Sequence, residues 1–271
     1  MSMFINTNVG AINAHRNLTS NNASMNKTME KLSSGYRINR AADDAAGLAI
    51  SEKMRFQING LNQAQRNAQD GISLIQTAEG ALTEVHAMLQ RLNTLANQAN
   101  NGTYQDKDRE QIDLEVQELI GEIDNIASKT TFNGISLLDN GNDVNFQIGS
   151  EENDSISVTL KDLSSGELGI DSLDLKTSTS VSGAITAIKS AIATVSSQRA
   201  TFGAVQNRLE HTINNLGVNA ENLSAAQSRI RDADMAAEMT NFTKNQILVQ
   251  AGTSMLAQAN SVPQNVLKLL G

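Results

Sequence analysis

The sequence between residues 181 and 230 keeps one heptad pattern without a break. Fifteen positions alternate spacings of four and three, and twelve of them are apolar. They are Val181, Ile185, Ile188, Ile192, Val195, Arg199, Phe202, Gln206, Leu209, Ile213, Leu216, Ala220, Leu223, Gln227 and Ile230. A helix with such a stripe buries one side along its length, and a helix spanning this segment extends about 75 Å. The pattern therefore predicts a rod, which works through contacts along its sides and ends rather than through a pocket.

The composition favours long helices elsewhere in the chain as well. The 271 residues include no Trp, no Cys, only 3% aromatic residues and one proline, Pro263. Without large aromatic side chains a core must be filled by Leu, Ile, Val, Met and Ala, which suits helices packed side by side. The near absence of proline removes the strongest helix breaker from almost the whole chain.

Hydrophobic periodicity assigns the rest of the chain to helices, one β-hairpin and connections. The expected elements are a helix at about 5–34, a connection at 33–46, a helix at about 45–100, a helix at 105–129, a hairpin at 144–160, an irregular tip at 161–180 and helices at 181–230 and 235–271. Gly102 is expected to end the second helix in the left-handed conformation. The predicted fold class is mainly α: an antiparallel hairpin of long helices, forming a coiled-coil rod, with one small β-hairpin region near the middle of the chain.

The apolar face of the second helix is the clearest of these patterns. Its residues follow alternating spacings of three and four through the second half of the helix. They are Ile75, Ala78, Leu82, Val85, Leu89, Leu92, Ala96 and Ala99. We expect this face to be buried against the other helices.

The charge of the chain limits its partners. A formal net charge of -8 argues against nucleic acid, which needs a concentrated basic face. Residues 101–175 carry 17 acidic and 4 basic side chains, which indicates a solvated acidic surface or a surface for a cationic partner. No segment has the apolar region of a signal peptide or a run of about 20 apolar residues that would span a membrane. Composition alone therefore indicates a cytoplasmic protein.

Both ends of the chain are amphipathic but carry few charges. Between 235 and 271 only Glu238, Lys244 and Lys268 are charged, so a helix that is apolar along two stripes is poorly solvated alone. The N-terminal stretch has a weaker pattern of the same kind, and both ends are expected to need a partner. The residues expected in this interface are Ile5, Val9, Ile12, Met25, Met29, Leu32, Phe242, Leu248, Val249, Met255, Leu256, Val262, Val266 and Leu269.

No group of residues has the pattern of a catalytic or ligand-binding site. His15, His86 and His211 stand far apart without an HExxH motif, so no metal site is expected. Asp43 and Asp44 are neighbours in sequence and would not face each other on a helix as paired carboxylates do. We expect no enzyme activity, no catalytic residue and no cofactor.

Five segments are long enough to identify a family. They are LSSGYRINRAADDAAGLAISEKMR (32–55), NAQDGISLIQTAEGAL (67–82), NRLEHTINNLG (207–217), ENLSAAQSRIRDADMAAEM (221–239) and MLAQAN (255–260). In this order they resemble bacterial flagellin, and the resemblance covers about 1–135 and 190–271. The pattern is similar to that of the short filament flagellins of the Bacillus type, which lack large outer domains.

The resemblance implies a structural subunit that polymerises into the extracellular flagellar filament, the propeller for swimming. It implies an inner domain that lines the bore, made of an N-terminal helix with its connector at 1–44 and a C-terminal helix at 235–271. It implies a rod domain made of two helices, hairpin and tip at 45–180 and a returning helix at 181–234. The interface residues at both ends are then expected in the inner shell of the filament.

The resemblance also implies partners and a location. The partners are other copies of the chain, a flagellar secretion chaperone on the C-terminal helix before export, and the filament cap and hook-associated proteins; neither nucleic acid nor a membrane is expected. Type III export without a cleaved signal implies an extracellular location instead of the cytoplasm. Recognition by host Toll-like receptor 5 is implied at Arg91, Leu95 and Glu115, although Thr94 stands where the family often has an acidic side chain.

Two alternatives share part of this pattern. A hook–filament junction (hook-associated) protein has the same helical ends, and a soluble coiled-coil binding module has the same heptads. The segments NRLEHTINNLG and SRIRDADMA are closer to filament flagellins than to junction proteins. A soluble module does not explain the nearly uncharged ends.

Overall fold

A computed structural model describes residues 7–139 and 141–270, with the side chains of all of these except 178–179 and 262–270. Its helices are α1 (Val9–Ser34), α2 (Ala45–Ala99), α3 (Asp106–Lys129), α4 (Ser178–Arg231) and α5 (Met235–Leu270). Its strands are β1 (Thr131–Phe132), β2 (Ile135–Ser136), β3 (Asp143–Gln147) and β4 (Ser155–Thr159). The predicted mainly helical fold with a β-hairpin near the middle is confirmed, and the predicted ends of the elements lie within a few residues of those observed.

The chain divides into two compact units. The terminal unit comprises Met1–Phe56 and Asn222–Gly271, and the central unit comprises Gln57–Glu221. The boundaries fall inside α2 and α4, so each of these helices contributes residues to both units. The domain ends expected at 44/45 and 234/235 refer to layers of a filament and stay a prediction.

One continuous hydrophobic core fills the central unit. All eight residues of the predicted α2 face are buried in it. The other helices contribute Ile112, Val116, Ile120, Ile123, Ala127, Val181, Ile188, Val195, Phe202 and Leu209. Strand β4 and the loop after it contribute Ile156, Val158, Leu160, Leu163, Ile170 and Leu175. Among the described residues, Phe202 is the only aromatic side chain that is buried, so the core consists almost entirely of aliphatic side chains, as the composition predicted.

The buried face of α4 is centred one residue away from part of the predicted line. The predicted positions Ile185 and Ile192 are only half-buried, whereas their neighbours Ala184 and Ala191 are buried. Gln198 is buried too, and its Nε2 donates to a backbone carbonyl of β4, 2.8 Å away. The prediction followed the larger side chains, but a small apolar residue at the centre of a helical face is covered completely by its larger neighbours. The heptad period is right, but between 181 and 209 every second predicted position is wrong by one residue.

Two hairpins follow α3, of which the sequence predicted the larger. In this hairpin β3 pairs antiparallel with β4, with Phe146 opposite Ile156. The Phe146 ring lies so close to Gly71 of α2 that a Cβ there would meet it at 3.2 Å, which explains a glycine inside this helix. The smaller hairpin, β1 with β2, was missed because two-residue strands have no visible period. Its turn is Asn133-Gly134, both with positive φ, which is the residue pair preferred in two-residue hairpin turns.

The C-terminal end of α2 is capped by a side chain and not by Gly102, which does not adopt a positive φ. The buried Arg109 donates from Nε to the carbonyl oxygen of Ala99 at 3.0 Å, and its Nη1 contacts Asp106 at 3.1 Å. A guanidinium supplies a donor and the positive charge that the end of a helix favours. The predicted glycine cap is therefore wrong for α2, whereas α1 does end in this way, at Gly35 with a φ of 73°.

Two acidic residues of α3 hold the loop at 161–177. The carboxylate of Asp124 accepts hydrogen bonds from the backbone N–H and the hydroxyl of Ser165, both at 2.7 Å. The buried carboxylate of Asp113 accepts from the N–H of Leu175 at 3.1 Å. Part of the acidic excess in residues 101–175 therefore anchors the tip of the central unit.

The central core yields a prediction about stability. Leu89→Ala removes a fully buried side chain and should lower the free energy of unfolding by about 2–5 kcal/mol, because the core loses contacts and keeps a cavity. Leu114→Ala is the matched control, since Leu114 is 61% exposed, and it should change this free energy by less than about 0.5 kcal/mol. Urea unfolding of the monomer measures both, and equal losses in the two variants would contradict the core assignment.

Candidate interaction surface

Helices α1 and α5 pack against each other within the terminal unit and run antiparallel. At one end Asn8 Nδ2 donates to the carbonyl oxygen of Ala259 at 2.8 Å. At the other end Lys31 Nζ lies 2.8 Å from Glu238 Oε1. As residue numbers rise along α1, those of the contacting residues fall along α5. The two ends of the chain therefore form a helical hairpin, and each helix uses one face for this contact.

The contact between α1 and α5 is a narrow heptad seam. Its residues are half-buried or buried and follow alternating spacings of three and four on both helices. They are Ala11, Ala14, Leu18, Asn21, Met25, Thr28 and Leu32 on α1, and Glu238, Phe242, Asn245, Val249, Gly252, Leu256 and Ala259 on α5. A Cβ at Gly252 would meet Leu18 Cδ1 at 3.3 Å, so small residues let the helices approach closely. Five predicted interface residues belong to this internal seam: Met25, Leu32, Phe242, Val249 and Leu256.

A second set of apolar residues on the same helices remains exposed. Five of them were predicted in the interface: Val9, Ile12, Met29, Leu248 and Met255. The other three, Met235, Met239 and Ile247, were not among the residues predicted there. We call these eight residues the exposed apolar set; their exposed fractions run from 39% at Leu248 to 65% at Met255. The predicted residue Ile5 lies outside the described residues, as do the side chains of Val262, Val266 and Leu269.

The terminal unit has almost no interior of its own. Among its described residues, Ile38 is the only hydrophobic side chain that is buried. The seam between α1 and α5 is mostly half-buried, in contrast to the closed core of the central unit. Apolar surface left uncovered on a folded unit indicates a surface for another protein or another copy of the same chain.

The connector between α1 and α2 is held by charged groups. The carboxylate of Asp43 lies 2.8 Å from Lys27 Nζ and accepts hydrogen bonds from the backbone N–H groups of Arg40 and Asn39. These bonds, led by that from Lys27, lower the pKa of Asp43 from 3.8 to about 2. Arg40 also pairs with Glu30 at 2.7 Å. The predicted non-helical connection is therefore a fixed segment of the terminal unit.

A second cluster of contacts joins this connector to the end of α4. Tyr36 forms an antiparallel bridge with Asp232, and the guanidinium of Arg231 lies over the Tyr36 ring, 4.7 Å from its centroid. Arg231 Nη1 also contacts Glu52 of α2 at 2.6 Å. The chain segments that lead into and out of the α1–α5 hairpin are thus tied together by an ion pair, a cation–π contact and backbone hydrogen bonds.

The three residues implied in receptor recognition do not share one environment. Arg91 and Glu115 are exposed and form an ion pair, with Nη2 2.7 Å from Oε1. Leu95 is only 2% exposed and belongs to the core of the central unit. Leu95 lies on the buried face of α2 beside Leu92 and Ala96, so it offers almost no surface to a receptor in this structure. Leu95 is therefore a packing residue, and only the ion pair remains available on the surface.

The described residues contain no group of three His, Cys, Asp or Glu side chains placed to hold a metal ion. His15 and His211 are exposed, and His86 is half-buried with its Nε2 2.9 Å from Gln90 Nε2. In the same part of the chain, no helix combines the length and the apolar character needed to cross a membrane.

Comparison with known proteins gives consistent matches over most of the chain. Residues 5–143 match the model of the bacterial flagellin N-terminal helical region, and residues 185–270 match that of the C-terminal helical region. The chain is 53% identical to a flagellin of Bacillus subtilis over 303 aligned residues and 54% identical to a flagellin of Halalkalibacterium halodurans over 271, covering 99% of this chain and all of each relative. A flagellar filament core protein of Treponema phagedenis is 48% identical over the same share.

Solved structures agree with these matches. A crystal structure of Bacillus cereus flagellin is 38% identical, with a TM-score of 0.52, and the match covers 60% of this chain and 94% of that one. A putative flagellar hook-associated protein from Vibrio parahaemolyticus has a TM-score of 0.59 over 70% of this chain and all of that one, but only 13% identity. This second likeness shows a common fold, whereas the high identities lie with flagellins and filament proteins.

The connector yields a prediction about pH. A lowered pKa means that the ionised Asp43 stabilises the folded connector above about pH 4 and that this contribution disappears as the pH falls through about 2. Lys27→Met should raise the pKa of Asp43 towards 3.8, because the largest cause of the shift is gone. Carboxyl NMR titration measures the pKa, with Lys53→Met as the control that leaves it unchanged. An Asp43 that titrates near 3.8 in the unmodified protein would contradict the geometry.

Proposed function

The chain belongs to the bacterial flagellin family and is a structural subunit of the extracellular flagellar filament, and we propose that its terminal unit carries the main assembly interface. In this proposal α1 with its connector (1–44) and α5 (235–271) line the bore of the filament. The segments at 45–180 and 181–234 form the rod outside them. The observation that carries the proposal is the exposed apolar set on α1 and α5.

The exposed apolar set suits contacts with other copies of the chain. Helix α5 carries only three charged residues, and one of them, Glu238, is paired with Lys31 of α1. The rest of the polar surface of α5 is largely amides and hydroxyls, which are less costly to remove from water than charged groups. A surface with so few charges can be covered at a modest cost of desolvation, as the inner shell of a polymer requires.

The magnitudes favour contacts with several neighbours over a simple dimer. Complete burial of a large apolar side chain contributes about 1.5–3 kcal/mol. The eight residues of the exposed apolar set are already about half covered, so their complete burial contributes about 6–12 kcal/mol. Association of two proteins costs about 4–15 kcal/mol in lost freedom of motion. A single neighbour covers only part of this set and contributes less than the full value. Several neighbours that are already fixed together cover the whole set for one loss of freedom of motion.

The geometry of repeated contacts then produces a filament. A contact between unlike surfaces that does not close into a ring generates an open helix of subunits. Each added subunit presents the same uncovered surfaces to the next. No bond is made or broken in this mechanism, so the chain needs neither a catalytic residue nor a cofactor.

We expect the same surface to bind other flagellar proteins before and after export. In the cell, a flagellar secretion chaperone would cover α5 around Leu248 and the segment up to Leu269, which prevents early polymerisation. After passage through the type III export channel, the filament cap and the hook-associated proteins would offer the first neighbours. These partners are expected to recognise amphipathic helices, as in other helix-in-groove complexes.

Host recognition is proposed for the exposed ion pair of the central unit. Arg91 and Glu115 lie on two different helices, α2 and α3, and present one charged surface to a receptor such as Toll-like receptor 5. The surface excludes Leu95, which is buried. Because a filament contact could use the same ion pair, recognition is expected for the monomer.

Receptor recognition can be tested by removing one member of the pair. Arg91→Ala should reduce activation of Toll-like receptor 5 by the monomer several-fold, because the receptor loses a charged contact. Glu110→Ala is the control, since Glu110 is exposed on α3 and makes no ion pair with Arg91. A reporter-cell dose response measures both variants, and unchanged activation by Arg91→Ala would remove this residue from the recognition surface.

Assembly can be tested by placing a charge in the exposed apolar set. Leu248→Asp and Met255→Asp should leave the unfolding midpoint of the monomer nearly unchanged but abolish filaments, because an unpaired carboxylate would be buried on assembly. Gln250→Asp adds the same charge at an exposed polar position of α5 and should reduce filament mass less than the two apolar substitutions do. Electron microscopy and sedimentation measure filament mass. Normal filaments from both apolar variants would show that this surface is not the interface.

A further inference from the structure

Four methionines belong to the exposed apolar set, and their exposure is high for this residue type. Met29 is 48%, Met235 47%, Met239 51% and Met255 65% exposed. The other described methionines, Met25, Met54 and Met88, are half-buried. Methionine is the one apolar side chain in this set whose chemistry can change under mild conditions.

We propose that these four thioethers are a modification site for a two-electron oxidant of the peroxide class, and that their oxidation stops the subunit from joining a filament. This inference rests on the proposed assembly interface. It adds the condition that the interface supports assembly only while its methionines are reduced.

The chemical step needs nothing beyond the oxidant. The thioether sulfur attacks one oxygen of hydrogen peroxide, the O–O bond breaks, and a sulfur–oxygen bond forms. Sulfur loses two electrons, and the other peroxide oxygen leaves as water after proton transfer from the first. The product is methionine sulfoxide, a polar group in place of an apolar one.

The positions of the four residues decide what the sulfoxides would disturb. Met255 lies two helical turns from Leu248, on the same side of α5, and Met235 and Met239 lie one turn apart near its start. None of the four is buried, and the half-buried Met25 of the α1–α5 seam is not among them. Oxidation at the four sites therefore leaves the folded monomer intact and places polar sulfoxides on the surface that assembly must cover.

The difference in exposure between the four methionines of the set and the half-buried methionines predicts a selective reaction. In the monomer the exposed sulfurs should be oxidised several-fold faster than those of Met25 and Met88, the latter packed against the central core. In assembled filaments this difference should shrink or reverse, because neighbours would cover the four exposed sites. A methionine sulfoxide reductase acting on the monomer would restore competence.

The test treats purified monomer and preformed filaments with hydrogen peroxide and maps the sulfoxides by peptide mass spectrometry. Treated monomer should keep its circular dichroism and unfolding midpoint but lose filament mass. The variant M29L/M235L/M239L/M255L keeps the shape and apolar character of the surface and should assemble after peroxide as it does before. If treated wild-type monomer assembles as fast as untreated monomer, or if the fourfold leucine variant is inhibited equally, the proposal is overturned.

The same experiment separates this inference from the proposed interface. If Leu248→Asp assembles normally, the interface itself is wrong and the oxidation proposal falls with it. If Leu248→Asp fails to assemble while oxidised wild-type monomer assembles normally, the interface stands and only the oxidation proposal fails. The five methionines that remain in the leucine variant report any effect from elsewhere in the chain.

Discussion

The close antiparallel contact between α1 and α5 is the constraint on which the terminal unit depends, and with it the assembly proposed for this chain. It brings the two ends of the sequence together, but small residues such as Gly252 and Ala259 make it narrow. A narrow contact uses one stripe of each helix and leaves other apolar stripes of the same helices in water. The subunit therefore folds without satisfying all of its apolar surface, and what remains is available to other subunits.

The two units of the chain are held together by different kinds of contact. The central unit has a closed aliphatic core, and the carboxylates of Asp113 and Asp124 hold its loop, so its fold depends on internal contacts. In the terminal unit, charged contacts around the connector, including the Lys27–Asp43 and Arg231–Glu52 pairs, hold the chain where little hydrophobic core exists. Such polar contacts give a definite geometry with modest stability. The apolar helices beside them can then stay exposed without distorting the connector.

Periodicity predicted the elements better than it predicted their contacts. Every helix and the larger hairpin follow from spacing, because burial along a helix or strand requires that spacing. On α5, however, Leu248 with Met255 and Val249 with Leu256 are equally good heptad stripes, and spacing does not say which stripe faces the same chain. The choice depends on small residues such as Gly252, which lets the helices approach closely but adds nothing to a hydrophobic pattern. The burial of Leu95 was not predicted for a related reason. Its role was inferred from the family resemblance and not from its position on the helix.

In the proposed assembly, an interface whose gain and cost are nearly equal would be an advantage for a subunit that is exported before it assembles. With a larger exposed apolar set, pairs of monomers would associate before they reach a filament. Complete burial of the set contributes about 6–12 kcal/mol, close to the cost of about 4–15 kcal/mol for association, so a neighbour that covers only part of the set gives weak binding. The growing end of a filament is the place where several neighbours are already fixed. If the proposed interface is right, the seam between α1 and α5 limits the exposed apolar surface to an amount that favours polymerisation at that end.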